Sequence, residues 1–409
     1  ARMVSRTRPC RPNQLHIVWV LLTHTRVLIF NSIYVLKAKL SAFEGDSMSE
    51  TSIAKTVYWQ PLHDMLDPAR SKTQTLAGFD EEFVDLADYI LRITHRIWEQ
   101  KNIGACYDYY ADYCPVHTLG GYADSVDVVV QNTLKTIAAF PDRSLIGEDV
   151  IYREEANDVY YSSHRITSIM TNKGPSEFGA PTGKTGRVTT IADCMCRDNK
   201  IFYEWLMRDN SFLIAQLGIE LDDAAAFQAK FPVSSTFTQW LNEEYARTCA
   251  NEASRWEALP EQDKPWGDFA KSWADQIFNK RMFNKLSDFY KPNASVQWPG
   301  GRQATGNAAI GGMFIKYLAS CPDANMVVDH ICVTHYDDNR VNIALRWGLA
   351  GHYNATQSKY AQFNQQPHYI LGATHFEIED GVIAKEFTVF DEVAALANLM
   401  RKLPQATEA

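Results

Sequence analysis

Paired cysteines of the CxxC type are absent from this 409-residue chain, and so are HExxH, the GxSxG elbow and the GxxxxGK[ST] loop. Those gaps exclude zinc-ribbon, zincin, serine-hydrolase and P-loop chemistries. The eight cysteines are scattered (10, 106, 114, 194, 196, 249, 321 and 332), which fits a reducing, cytoplasmic setting better than a disulfide framework. Cys194 and Cys196 would share one face of a strand, where they could grip a soft metal or simply serve as small apolar core residues. Positive charge is scarce as well. Forty Lys and Arg against 49 Asp and Glu leave a net charge of -9 with no basic stripe, which argues against a nucleic-acid partner. What is present is a folded composition, 46% hydrophobic and 22% charged, with length for two domains.

Residues 1–47 read as a leader or upstream extension. The apolar run 16–36 is about long enough to anchor in a membrane, although Arg26 and two histidines interrupt it. Residues 48–79 form a polar segment, 80–225 a first domain, 226–265 a helical linker and 266–402 a second domain. Apolar residues Phe83, Leu86, Ile90, Ile93 and Ile97 are spaced for an amphipathic helix over 80–99, and a second helix is expected over 125–139. Strand-like runs follow and read as a curved antiparallel meander.

The same order recurs in the second half. Tyr110 precedes Gly120-Gly121 by ten residues, and Tyr290 precedes Gly300-Gly301 by ten. Pro141-Asp142 answers Pro322-Asp323. IADCMCRDNKIFYEWLMRD aligns without a gap on ATHFEIEDGVIAKEFTVFD, pairing Asp193 with His375, Ile201 with Ile383, Glu204 with Glu386 and Asp209 with Asp391. An internal repeat explains four anchors in one order. Trp240 and Trp256 of the linker are expected to pack on a neighbouring domain.

FPDRSLIGEDVIYRE, YSSHRI, FGAPTGKTGRV and IADCMCRDNKIFYEWLMRDNSFLIAQLG together resemble the SnoaL-like polyketide cyclase family of the nuclear-transport-factor-two-like superfamily. The resemblance covers residues 85–220, with a weaker version over 268–400 that lacks the PTGK turn and the QLG ending. It implies an α+β fold of two tandem cone-shaped barrels, each a curved sheet wrapped by helices around a small-molecule pocket. It also implies no metal and no organic cofactor, with the halves forming a pseudo-dimer that could assemble further.

Aldol cyclisation or isomerisation without a cofactor needs a base beside a carbonyl and a donor for the enolate oxygen. The resemblance places that acid/base role on Asp209, although Asp209 and Asp391 each precede a helix and could be N-caps. Asp193, in an apolar strand, either lines the pocket or is buried against His164 or Arg165. Those two alternate, so only one faces inward: His164 could relay a proton with Asp193, and Arg165 could pair with Glu204 on the outer surface. Tyr110, Tyr290, Trp205, His117, His375, Arg165 and Asp391 complete the expected substrate-binding set. The rival readings are a noncatalytic carrier of small apolar ligands and a scaffold whose cones are filled by Phe202, Trp205 and Met207. The turn 178–184 reads as a hairpin at the pocket rim.

Overall fold

The acidic opening of the first helix acts as its cap. Asp85 is extended and accepts from the Asp88 amide at 2.8 Å, starting α1 (Leu86–Thr94) and satisfying one orphan donor of the first turn. In this computed structural model, which describes residues 69–155, 158–253, 259–337 and 340–401, α1 continues into a π-type turn, His95–Glu99. Leu86, Ile90, Ile93 and Ile97 are buried, as their spacing requires. All described residues lie in one unit, residues 53–409; the other, residues 1–52, is wholly outside them. The readings of residues 1–47 and of Trp256 therefore fall outside the described residues. Among the described residues no helix is long and apolar enough to cross a membrane.

After the short turn α2 (Cys106–Tyr109) the first half contributes β1 (Tyr113–Thr118), β2 (Gly121–Ser125), α3 (Val126–Ala139), β3 (Ser144–Glu154), β4 (Tyr160–Thr171), β5 (Thr185–Arg197) and β6 (Lys200–Arg208). Helices α4 (Asn210–Leu217), α5 (Leu221–Ala229) and α6 (Ser235–Cys249) lead to the second half. There α7 (Lys264–Trp273) runs into another π-type turn, Ala274–Asn279. β7 (Tyr290–Trp298), β8 (Arg302–Thr305), α8 (Asn307–Leu318), β9 (Asn325–Asp337), β10 (Arg340–His352), β11 (Pro367–Glu379), β12 (Val382–Phe390) and α9 (Glu392–Met400) complete it.

The two six-stranded sheets have one topology: β2-β1-β6-β5-β4-β3 and β8-β7-β12-β11-β10-β9. The fold is α+β. Two expectations need correction. Among the described residues the sheets are open rather than closed barrels, each ending on edge strands that pair with no further strand. They are also mixed, because β1 pairs parallel with β6 and β7 with β12. Tight hairpins force neighbours in sequence to run antiparallel, whereas β1 and β6 are joined through the whole domain and carry no such constraint.

Register defines two faces in the first half. Val116, Val150, Ala192, Cys194, Cys196 and Ile201 form the inner face and pack beneath α1 with Phe83, Tyr89 and Ile93. Ile151, Tyr161, Ile191, Met195, Trp205 and Met207 form the outer face and join one continuous core with the second half. The halves thus meet sheet to sheet.

Candidate functional site

Glu204 is a buried ionisable group on the inner face of the first half. In register it lies opposite Cys194 on β5 and beside Val116 on β1. A bulge between Met195 and Cys196 brings Ile201 and Glu204, three apart, onto the same face. Tyr110 is bridged to Ile201 and donates its phenol to Glu204 Oε2 at 3.2 Å. Burial pushes the Glu204 carboxyl up to about 7, against the pull of Arg208 and the Tyr110 hydrogen bond.

β4 supplies the facing polar groups. Ser162 lies opposite Cys194 and His164 opposite Ala192, so both share the inner face with Glu204. They stand two strands away, about 10 Å by strand spacing. Ser162 Oγ, His164 Nε2 and Thr190 Oγ1 are buried without a hydrogen-bond partner among the described residues. Buried polar atoms without partners carry a substantial cost. Burial pulls the His164 imidazole down to about 3, keeping it neutral at ordinary pH.

The equivalent place in the second half is filled. Glu386 lies opposite Phe376 and beside Val296, in the register of Glu204. It accepts from Tyr290 Oη at 2.5 Å, Trp298 Nε1 at 2.6 Å and Thr388 Oγ1 at 2.7 Å. Phe376 replaces Cys194, Ile343 replaces Ser162, Leu345 replaces His164, and Trp298 stands where the first half has Thr118. Trp273, Phe278 and Phe314 pack into the same space, Trp273 donating to Tyr290 at 2.8 Å. Exposure records the difference: Glu204 6%, Cys194 5% and Ala192 8%, against 0% for Glu386, Phe376 and Thr374.

The expected acid/base trio is not assembled. Asp209 caps α4, accepting from Phe212 N at 3.0 Å and Ser211 Oγ at 2.9 Å, and also takes Gly300 N of the second half at 2.8 Å. Asp391 caps α9 through Ala394 N at 3.0 Å and accepts from Asn210 Nδ2 at 2.5 Å. Asp193 points outward, opposite Ser163, so a relay with the inward His164 is geometrically closed. Its partners are Tyr161 Oη at 2.5 Å, Ser163 Oγ at 2.6 Å and Arg346 of the second half at 3.5 Å.

The remaining candidates divide the same way. Arg165 binds Glu148 at 2.8 Å and covers Phe387 at 3.5 Å; it does not pair with Glu204, which faces the opposite way. Trp205 lies under the Arg346 guanidinium at 3.5 Å, and His375 meets Ser163 at 2.8 Å. His117 meets Tyr203 Oη at 2.7 Å and packs on Trp240. These four join the halves rather than line an interior, whereas Tyr110 and Tyr290 face inward. Phe178 of the turn 178–184 is buried with Leu213 and Leu217 near α4. Sequence reasoning used Glu204 as an anchor of the repeat and as an outer-surface partner for Arg165, not as a site residue, and passed over Ser162 and Thr190. The polar residues at alternate positions of YYSSHRIT were the available signal. Among the described residues no cluster of His, Cys, Asp and Glu is arranged to hold a metal ion.

A family model for the SnoaL-like domain matches residues 270–386, the half in which the resemblance was expected to be weaker. Similar solved structures include IdmH from Streptomyces antibioticus, 20% identical, covering 32% of this chain and 98% of its own at a TM-score of 0.28. A proposed SnoaL-like polyketide cyclase from Jannaschia sp. CCS1 is 12% identical and covers 36% of this chain and 100% of its own (TM-score 0.30). A protein of ketosteroid isomerase-like fold from Catenulispora acidiphila, in complex with trimethylamine, is 14% identical and covers 37% and 100% (TM-score 0.27). No curated protein matches the chain.

Proposed function

We propose that this chain is a cofactor-independent acid/base enzyme of the cyclase or isomerase type, acting on a small hydrophobic carbonyl compound inside the first half. The two halves descend from one tandemly repeated SnoaL-like unit, and only the first keeps its interior for a ligand. One observation carries the reading: a buried carboxyl raised to about 7, Glu204, shares an interior with three unpartnered polar atoms, while its counterpart Glu386 is enclosed by aromatics.

Chemistry follows from the arrangement. Glu204 as carboxylate takes a proton from the carbon beside the carbonyl; the C–H electrons form a C=C bond and the carbonyl π electrons move to oxygen. Neutral His164 or the Ser162 hydroxyl donates to that oxygen. A group with a pKa near 7 is suited both to take the proton and to return it. Returning it at a second carbon gives isomerisation; attack of the enolate carbon on a second carbonyl gives cyclisation. Tyr110 holds the carboxyl in place and sets its orientation. A rival reading, a carrier of apolar ligands, needs the interior but not the proton transfer.

The discriminating experiment follows α-proton exchange of 1-tetralone in D2O by NMR. Exchange accelerated by the wild-type protein and abolished in Glu204→Gln, with ketone binding retained, supports the enzyme. Binding without acceleration in either protein supports the carrier.

A further inference from the structure

Two sheets packed with matching topology create two equivalent clefts along their junction, and the chain treats them differently. One is occupied by the linker helix α6. Trp240 lies 4.7 Å from His117 and 6.2 Å from Tyr369, Arg247 grips Asp329 at 2.6 Å, and Thr248 stands against Gly348. A Cβ on Gly348 would come within 2.9 Å of Thr248 Oγ1, so the close seat depends on that glycine. The other cleft is open, about 340 Å³, between Glu148, Thr167, Arg187, Thr189 and Phe212 of the first half and the Gln297–Gln303 turn with Phe387 of the second.

Register identifies the residues that exchange places. Arg187 lies opposite Ile169 as Tyr369 lies opposite Ala350, and Thr167 lies opposite Thr189 as Gly348 lies opposite Leu371. Gln297 is beside Phe387 as His117 is beside Trp205. Glu148 and Asp329 are each the extra residue of a bulge. In the open cleft the aromatic seat of the helix has therefore become Arg187 and Gln297, and the indispensable glycine has become a threonine, hydrogen-bonded to Glu148. A second helix cannot approach as α6 does.

The polar lining has one unspent charge. Glu148 is held by Arg165 and Thr167, and Arg302 is paired with Glu392 at 2.6 Å. Asp209 is committed to capping. The exposed Arg187 guanidinium has no hydrogen-bond or ion-pair partner among the described residues and lies 5.4 Å from the Phe212 ring. Phe212 itself packs on Gly301, whose φ of 69° and lack of a Cβ, which would fall 2.5 Å from the ring, give it room.

We infer that this open cleft between the halves is a second ligand site, separate from the interior of the first half, for a small organic anion. Its charged group, carboxylate or phosphate, is bound by Arg187, and its apolar body rests against Phe212 and Phe387. An arginine with a free planar face of donors matches either anion in a two-pronged contact.

The test titrates the full chain with benzoate, phenyl phosphate and uncharged benzamide by NMR or calorimetry, on wild type, Arg187→Gln and Glu204→Gln. Saturable binding of at least one anion, weakened about ten- to hundredfold in R187Q and unchanged in E204Q, is expected from loss of a charged hydrogen bond. Arg187 is exposed, so R187Q is expected to fold normally, which circular dichroism checks. The two anion arms show which head group is preferred. Failure of both anions to bind, equal binding of benzamide, or undiminished binding to R187Q would overturn the site. Binding lost in E204Q but not in R187Q would place the anion in the interior instead.

Discussion

Tyr110, bridged to β6 just ahead of β1, donates to Glu204 at 3.2 Å, just as Tyr290, the first residue of β7, donates to Glu386 at 2.5 Å in the second half. The pair is common to both halves, but its surroundings are not. The small Cys194 stands opposite Glu204 where the larger Phe376 stands opposite Glu386.

That difference predicts opposite responses to exchanging the two residues. Cys194→Phe fills the first interior and abolishes ketone binding with little loss of stability. Phe376→Cys leaves a void in a packed core and costs about 3–5 kcal/mol, read by urea unfolding. Equal ketone binding by wild type and C194F would remove the interior from consideration as a ligand site.

Asp209 and Glu204 separate capping from chemistry. Asp209→Ala loses a helix cap and a contact between the halves, costing about 1–2 kcal/mol, while exchange of 1-tetralone protons by the folded protein persists. Activity lost in D209A at full folding would return the acid/base role to Asp209.

How much of this was legible in the sequence can be followed through these residues. The Tyr and Glu anchors and the glycine turns of the repeat could be read because each holds a position both sheets require. Alternation also established that His164 and Arg165 face opposite ways. Which face Glu204 takes was not legible, because the bulge at Met195/Cys196 sets its phase and no local pattern reports it. Asp193 looked like a pocket carboxylate because its cation, Arg346, comes from the other half, 153 positions away in sequence. A carboxylate buried for a pocket and one buried for an interface have the same local sequence.

Arg346 and Asp193 illustrate the energetics of that interface. Arg346→Met leaves Asp193 buried without its cation and is expected to destabilise by about 3–5 kcal/mol; adding Asp193→Asn recovers part of the loss. A double-mutant cycle by urea denaturation checks this, and purely additive losses would contradict the pairing.

Stability should also carry the signature of Glu204. Its pKa in the folded protein, about 7, lies above the ordinary 4.5, so the folded state holds the proton more tightly. That contribution is complete below about pH 4.5 and is lost as pH rises to about 7, up to roughly 3 kcal/mol. Glu204→Gln flattens that fall. His117, pulled down to about 4 by burial and Arg346, acts in the opposite direction: its contribution is present above about 6.5 and is lost as pH falls towards 4. His117→Gln therefore flattens the acid side. Unfolding midpoints of the three proteins between pH 4 and 8 give both slopes.

Catalysis by Glu204 is tested by titrating the carboxyl carbons of Glu-labelled protein by carbon-13 NMR, with and without bound ketone, using Glu204→Gln to assign the resonance. The expected result is a Glu204 midpoint near 7 that moves when the ketone binds. A midpoint near 4.5, unmoved by ketone, would contradict it.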